Sequence, residues 1–440
     1  MLIDLRSAAA DVLRRAGEGD TARSAVTSSM RQQPVHDEPR DGYQTPRVWR
    51  GFFATNLAMA MGMGIFALMG VATFAPLVVA DLGLSRTQLG SLATVGFAVA
   101  AATSGPAGRL VDAVRGRRMM YSVFAVGALA VAAMAAAQSL VWLWVAAAMC
   151  GASQAVANVV TNQLVAEHIP HGQQGVLIGV KQSGPPIAQA FIGFALPPLA
   201  LLIGWRGAVS TGVAIGLVGL VATRLIVPDV ERKIAAVARS AGAAGDPMVR
   251  RFAVYACTVA LSIQPVLTYV PLFAFERVGL SPTVAGMTAG VIGAAGIVAR
   301  IGWGRLTEHR DDPLQALTVL SFVSFLALGL IVASQYVGQW SLWLGLLAFG
   351  GSAMAATAVI MLAVVRTAGS ERAGRASGVV IRGLFLGGLA GPIAFGAIVD
   401  NTQSYTLAWG AVAVVLLVQG ALTVTWRRHP QAVPAPERIH

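Results

Sequence analysis

Three basic residues lie inside long apolar segments, where charged side chains are rare: Lys181, Arg300 and Arg382. All 20 Asp and Glu residues, in contrast, can be assigned to tails, loops or the ends of apolar segments. An unpaired charge in hydrocarbon costs at least ~2.5–3.5 kcal/mol, so such a residue usually faces a cavity or a partner. Because the apolar segments offer no acidic partner, the simplest partner for these cations is an anionic substrate.

The rival interpretation for each cation is a long side chain that extends to the lipid headgroups. Lys181 lies six residues after Gly175, and Arg300 lies four residues before Gly304. At 1.5 Å per residue these separations are about 9 Å and about 6 Å along the helix. Both are compatible with a side chain that faces a cavity and with one that extends to the lipid headgroups. The sequence alone leaves both open.

Neutral polar residues inside apolar segments could complete a binding site. Gln154 and Asn158 are four residues apart and therefore share one helix face. Each neutral residue could equally form a hydrogen bond between helices. The predicted substrate-binding set is Lys181, Arg300, Arg382, Gln182, Asn158, Gln154, Tyr269 and Asn56.

The composition is typical of a helical membrane protein. The chain is 56% hydrophobic, only 12% charged, and has a mean hydropathy of +0.68, whereas soluble domains carry about 25% charged residues. The net charge of +12 does not indicate nucleic-acid binding, because the basic residues concentrate at segment edges and in tails. We find no phosphate-binding loop, zinc pattern or nucleophile motif, so we expect neither an enzyme nor a bound cofactor.

Apolar runs of about 20 residues can cross the hydrocarbon core as helices. We predict an all-α membrane protein with twelve spans: 52–80, 86–108, 118–138, 140–163, 175–203, 207–227, 252–274, 282–303, 314–334, 340–365, 376–399 and 405–426. The predicted organisation is a disordered cytoplasmic tail (1–50), a six-helix bundle (51–227), a cytoplasmic linker (228–251), a second six-helix bundle (252–427) and a second cytoplasmic tail (428–440). Most basic loop residues then lie on the inner side, which places both termini in the cytoplasm.

The two halves repeat one another at a constant offset. Gly83-Leu84-Ser85 recurs as Gly279-Leu280-Ser281, an offset of 279 − 83 = 196. Gly108-Arg109-Leu110 recurs at the same offset as Gly304-Arg305-Leu306. Carriers built from such repeats place the substrate site near the bilayer midplane, between the halves.

The loop after the second span, Gly108 to Arg118, resembles the signature of the major facilitator superfamily. It departs from that signature by one extra residue and by Ala113 where a basic residue is usual. The resemblance covers about residues 50–428 and implies the twelve-helix fold of that family, in which this loop stabilises one access state. The gating residues that we predict from the loop and its repeat are Gly108, Asp112, Arg115, Arg117, Arg118, Gly304 and Glu308.

Within that family, Arg300 resembles the arginine that engages a carboxylate in the oxalate–formate exchangers and the monocarboxylate transporters. The aspartate that the monocarboxylate transporters carry four residues earlier is Gly296 here, which puts their proton coupling in doubt for this chain. Arg382 resembles in kind the basic residue in span eleven of the exchangers.

The sequence therefore predicts a secondary transporter in the bacterial inner membrane that moves a small organic anion, a carboxylate, by alternating access. We expect it to function as a monomer in contact with membrane lipids. The alternative is an efflux carrier for hydrophobic or drug-like compounds, in which the buried cations are only structural.

Overall fold

The computed structural model describes residues 47–169, 174–229, 246–308 and 312–428, and for some of these the backbone alone. Every regular element in these ranges is an α-helix. The predicted all-α membrane fold is therefore confirmed. The predicted tails and most of the 228–251 linker lie outside the described residues.

Twelve helices follow one another along the described ranges. They are α1 (Arg47–Thr73), α2 (Ala75–Leu82), α3 (Arg86–Ala113), α4 (Gly116–Ala135), α5 (Leu140–His168), α6 (Gln174–Gln182), α7 (Gly184–Ile226), α8 (Pro247–Glu276), α9 (Pro282–Glu308), α10 (Pro313–Val337), α11 (Gln339–Thr402) and α12 (Tyr405–Arg428). Below, the first half means α1–α7 and the second half means α8–α12.

Eleven segments of the described chain are long and apolar enough to cross a membrane. One of them, Leu177–Ile226, has 50 residues and would be about 75 Å long as one helix, more than twice the hydrocarbon thickness. Its backbone breaks at Gly204, where φ is 71° and ψ is 166°. This segment is therefore long enough for two crossings separated by Gly204, which agrees with the twelve that were predicted.

The repeated Gly-Leu-Ser sequence forms the same helix junction in both halves. Gly83 and Gly279 have φ of 61° and 77°, a left-handed conformation that glycine adopts without steric penalty. Ser85 then caps α3, and the Ser281 hydroxyl accepts a 3.4 Å hydrogen bond from the backbone N–H three residues further on. The repeat thus preserves the residues that end one helix and begin the next.

Helices of the two halves contact one another closely in two places. In the first, a side chain at Gly193 of α7 would collide with the backbone of Gly290 in α9, and the Gln189 amide donates to the Ala289 carbonyl at 3.3 Å. Such close approach is what small residues permit between membrane helices. The division into two separate six-helix bundles stays a prediction.

In the second place, α3 packs on α11. The Thr94 hydroxyl donates to the Leu389 carbonyl at 2.7 Å. About one turn further along α3, the rings of Phe97 and Phe385 lie 6.2 Å apart. These two interfaces, α7 with α9 and α3 with α11, bring the two halves together around the candidate site.

We predict that Gly193→Ala destabilises the fold, because the added methyl group has no space against α9. Overpacking of this kind costs about 1–3 kcal/mol. The matched control is Gly410→Ala, since Gly410 also lies in a helix but has nothing within 4 Å of an added methyl group. The measurement is the apparent unfolding temperature of each purified variant in detergent. Equal unfolding temperatures for the two variants would contradict the close packing of α7 on α9.

Candidate functional site

Lys181 lies at the end of α6 and is fully buried, with 0% of its surface exposed. Its ammonium group donates a 2.9 Å hydrogen bond to the hydroxyl of Thr161 on α5. Thr161 is itself fully buried and donates to the Ala157 carbonyl at 2.6 Å. The Lys181 side chain therefore points into the protein and does not extend to its surface.

Arg300 lies on α9 and is partly buried, and its guanidinium joins three backbone or side-chain oxygens. It donates to the Gln182 carbonyl at 2.6 Å, to the Met354 carbonyl at 3.2 Å and to the Thr357 hydroxyl at 3.2 Å. Gln182 belongs to the first half, whereas Met354 and Thr357 belong to α11. Arg300 is therefore a contact between the halves, and all three of these acceptors are neutral.

Acidic side chains in the described part of the chain lie at helix ends and pair with other groups. The five described arginine–carboxylate pairs are Arg206–Asp81 at 2.8 Å, Arg117–Asp229 at 2.6 Å, Arg115–Asp229 at 3.6 Å, Arg86–Glu276 at 2.7 Å and Arg427–Asp312 at 2.8 Å. None of the described carboxylates contacts Lys181 or Arg300. The two buried cations therefore have neutral partners only, within the residues that the structure describes.

Arg382, the third predicted cation, is exposed on α11. The next residue toward the N-terminus, Ile381, packs with Phe385 against the Ala100 and Ala155 cluster between α3, α5 and α11. No described contact joins Arg382 to Lys181 or Arg300. The structure therefore brings Lys181 and Arg300 near one segment, around Gln182, and shows no such contact for Arg382 among the described residues.

Two of the neutral candidates form hydrogen bonds within the first half. The Asn56 amide donates to the Thr223 hydroxyl of α7 at 3.1 Å, and the Asn158 amide donates to the Gln154 carbonyl one turn earlier at 3.1 Å. The side-chain oxygen of Gln154 is buried and has no hydrogen-bond partner among the described residues. The same holds for the side-chain oxygen of Asn56, so both Gln154 and Asn56 retain an acceptor that a ligand donor could use.

Tyr269, another predicted site residue, instead forms a contact between the halves. Its hydroxyl is 2.6 Å from the Arg86 carbonyl and 2.9 Å from the Pro392 carbonyl. At the same place Asp400, at the end of α11, accepts from the backbone N–H groups of Arg86 at 3.1 Å and Thr87 at 2.8 Å. The carboxylate of one half therefore caps the first turn of α3 in the other, where the helix dipole favours an anion.

An ion pair extends this contact. Arg86 donates to Glu276 at 2.7 Å, and the Tyr405 hydroxyl donates to the second oxygen of Glu276 at 2.7 Å. We call Arg86, Thr87, Tyr269, Glu276, Asp400 and Tyr405 the α3 N-terminal cluster. Of this cluster, only Tyr269 was among the predicted site residues, and Arg86 was predicted only as the first residue of the second span.

The predicted gating loop contacts a residue that sequence analysis did not name. Arg115 and Arg117 lie 3.6 Å and 2.6 Å from Asp229, which follows the end of α7. Arg118 is exposed. For Gly108, Asp112, Gly304 and Glu308 only the helical backbone is described. Both of these described ion pairs lie within the first half.

We predict that Asp400→Ala lowers stability, because the first N–H groups of α3 lose their acceptors. Loss of a helix N-cap costs about 0.5–2 kcal/mol. The matched control is Asn401→Ala, because the neighbouring Asn401 amide bonds only within its own helix, to the Ala397 carbonyl at 2.8 Å. The measurement is the apparent unfolding temperature of each variant in detergent. An equal or larger decrease for Asn401→Ala would show that the Asp400 carboxylate does not stabilise the start of α3.

The chain is similar to known transporters in sequence. Two uncharacterised MFS-type transporters of Mycobacterium tuberculosis, from strains H37Rv and CDC 1551, are each 24% identical over 365 residues, covering 81% of this chain and 82% of theirs. The nitrite extrusion protein of Bacillus subtilis is 25% identical over 382 residues, covering 84% of this chain and 92% of its own.

The fold is similar to that of solved transporters. A bacterial homologue of the human lysosomal transporter Spinster, in an inward-facing and occupied conformation, aligns with a TM-score of 0.74 at 14% identity, covering 89% of this chain and 100% of that one. The nucleoside transporter NupG aligns with a TM-score of 0.72 at 10% identity, covering 86% and 99%. The family model of the Major Facilitator Superfamily matches residues 52–392. Because this match spans well over half of its length, the chain belongs to the Major Facilitator Superfamily of membrane transporters.

Proposed function

We propose that the protein is a secondary active transporter that moves a small organic anion, a carboxylate, across the bacterial inner membrane by alternating access. One observation carries the proposal: Lys181 and Arg300, one from each half, are turned into the protein and have only neutral partners among the described residues. An anion between the halves would supply the missing negative charge.

Electrostatics supports an anion over a cation or a neutral substrate. A buried charge without a counter-charge is costly, and a neutral hydrogen-bond acceptor offsets only part of that cost. Lys181 carries three N–H donors, of which one is used on Thr161 within the described residues. Arginine suits a carboxylate because its planar group can donate to both oxygens together. A lysine and an arginine together therefore favour a small anion with two acceptor oxygens.

The contacts between the halves support alternating access. The α3 N-terminal cluster joins α3 to α8, α11 and α12 at one end of the spans. At the opposite end of α3, the described contacts of Arg115 and Arg117 to Asp229 stay within the first half. A carrier needs a contact between its halves that forms at one end at a time, and the α3 N-terminal cluster has the composition of such a contact.

The relatives are compatible with this proposal. The Bacillus subtilis relative is described as a nitrite extrusion protein, and nitrite is a small anion with two oxygens. We propose further that both termini are cytoplasmic, that the monomer is the working unit and that lipids surround it. The rival function remains export of hydrophobic compounds, with Lys181 and Arg300 serving only to hold the helices together.

We predict that small anions, and not lipophilic cations, raise the apparent unfolding temperature of the purified protein. A ligand that binds only the folded state stabilises it by about 2.7 kcal/mol at 100 times its dissociation constant. The panel is acetate, oxalate, nitrite and tetraphenylphosphonium. Stabilisation by tetraphenylphosphonium alone would contradict the proposal and favour the exporter.

We predict that Arg300→Gln weakens binding of the stabilising anion about ten- to hundredfold, since a hydrogen bond to a charged group contributes about 1.5–3 kcal/mol. Arg300→Lys retains the charge and should lose less. The matched control is Arg224→Gln, because Arg224 is an exposed cation in the last turn of α7. Titration of the unfolding temperature measures affinity, and uptake into proteoliposomes measures transport. Unchanged affinity and uptake for Arg300→Gln would remove Arg300 from the site.

A further inference from the structure

The Gln182 carbonyl, which holds Arg300, has no donor in its own helix. In a continuous α-helix this oxygen would accept from the backbone N–H four residues later. That residue is Pro186, which has no N–H. The backbone stays helical across the junction, with Ser183 at φ −78° and ψ −10° and a 3.0 Å hydrogen bond from the Ile187 N–H to the Ser183 carbonyl. This turn therefore lacks only the backbone N–H that would donate to the Gln182 carbonyl, and the carbonyl can accept a hydrogen bond from another group.

Arg300 supplies that donor from the other half of the chain. Its bond to the Gln182 carbonyl, at 2.6 Å, is shorter than its bonds to Met354 and Thr357, both 3.2 Å. Met354 and Thr357 lie on the same half as Arg300, and the Thr357 hydroxyl also donates to the Met354 carbonyl at 3.1 Å. The Gln182 carbonyl is therefore the one described acceptor through which Arg300 joins the first half.

We propose that the Gln182 carbonyl is a resident substitute for the substrate anion on Arg300, and that the anion displaces it on binding. This proposal rests on the proposed function, since it takes Arg300 as part of the anion site. A carboxylate is a stronger acceptor for a guanidinium than a neutral carbonyl is, and this gain offsets the cost of leaving the partly buried Gln182 carbonyl without its donor. The exchange removes a direct hydrogen bond between α6 and α9 and puts the anion in its place. Binding of the substrate is thereby linked to release of a contact between the halves.

Pro186 acts in this scheme as a positioning residue, because it keeps the Gln182 carbonyl free of its own helix. Pro186→Ala restores an N–H four residues after Gln182 and lets the helix itself satisfy that carbonyl. Pro185→Ala is the comparison variant, since its restored N–H lies four residues after Lys181, the residue whose carbonyl an α-helical turn would pair with it. Both substitutions remove one proline from the first turn of α7, so any general effect on that helix is common to them.

The first test needs no ligand. Arg300→Gln is combined with each proline variant, and apparent unfolding temperatures are measured in detergent. Removing Arg300 leaves the Gln182 carbonyl without a partner in the wild-type and Pro185→Ala backgrounds, but not in the Pro186→Ala background. We expect Arg300→Gln to lower the unfolding temperature clearly less in the Pro186→Ala background than in the other two. Equal decreases in all three backgrounds would overturn the proposal, because the two residues would then not be coupled.

The second test measures the exchange itself with acetate, oxalate and nitrite as probes. We expect Pro186→Ala to bind the stabilising anion about three- to tenfold more tightly than wild type, because the competing carbonyl is engaged elsewhere. Pro185→Ala should bind as wild type does. If anions stabilise the wild type and both proline variants respond alike, the displacement is wrong while the proposed function stands. If no anion stabilises any variant, the proposed function fails, and the displacement fails with it.

Discussion

Within a lipid bilayer there is no water to satisfy a buried carbonyl or a buried cation, so each must find its partner inside the protein. Much of the structure around the candidate site follows from this constraint. The Gln182 carbonyl, left without a donor by Pro186, is taken by Arg300 from the opposite half. The first N–H groups of any helix have no acceptor within that helix. Those of Arg86 and Thr87 in α3 donate to Asp400. In both places the hydrogen-bond partner comes from the other half of the chain. Each of these hydrogen bonds therefore also holds the two halves together.

The fold was largely predictable because its signals are local and repeated. Runs of about 20 apolar residues predict crossings, and the structure agrees with the twelve expected once the break at Gly204 is recognised. The recurrence of Gly-Leu-Ser at an offset of 196 indicated that the two halves repeat one another. The structure shows why these residues recur. The cause is that Gly83 and Gly279 both adopt left-handed conformations at a helix end, which few other residues tolerate.

The candidate site was predictable only in part. Lys181 and Arg300 could be identified because a cation within an apolar segment is rare, and such a cation is recognisable from the sequence alone. The sequence does not reveal what these residues contact. Lys181 donates to Thr161, and Arg300 donates to a carbonyl 118 residues away in sequence. The contacts of Tyr269 were equally hidden in the sequence, since its hydroxyl donates to the carbonyls of Arg86 and Pro392, and its role in binding substrate stays a prediction. Asp400 was missed because nothing near it in the sequence indicates that it caps a helix beginning 314 residues earlier.

The α3 N-terminal cluster differs from the buried cations in its access to solvent. The side chains of Arg86 and Glu276 are 35% and 21% exposed, so dissolved ions reach their ion pair, whereas Lys181 is fully enclosed. Exposed charges are screened over about 8 Å at physiological ionic strength, and buried ones much less. Added salt therefore weakens the electrostatic part of one contact between the halves and leaves the interior contacts nearly unaffected. In the proposed transport cycle, ionic strength would therefore change how readily the end at the α3 N-terminal cluster opens, without changing the groups that would hold the substrate.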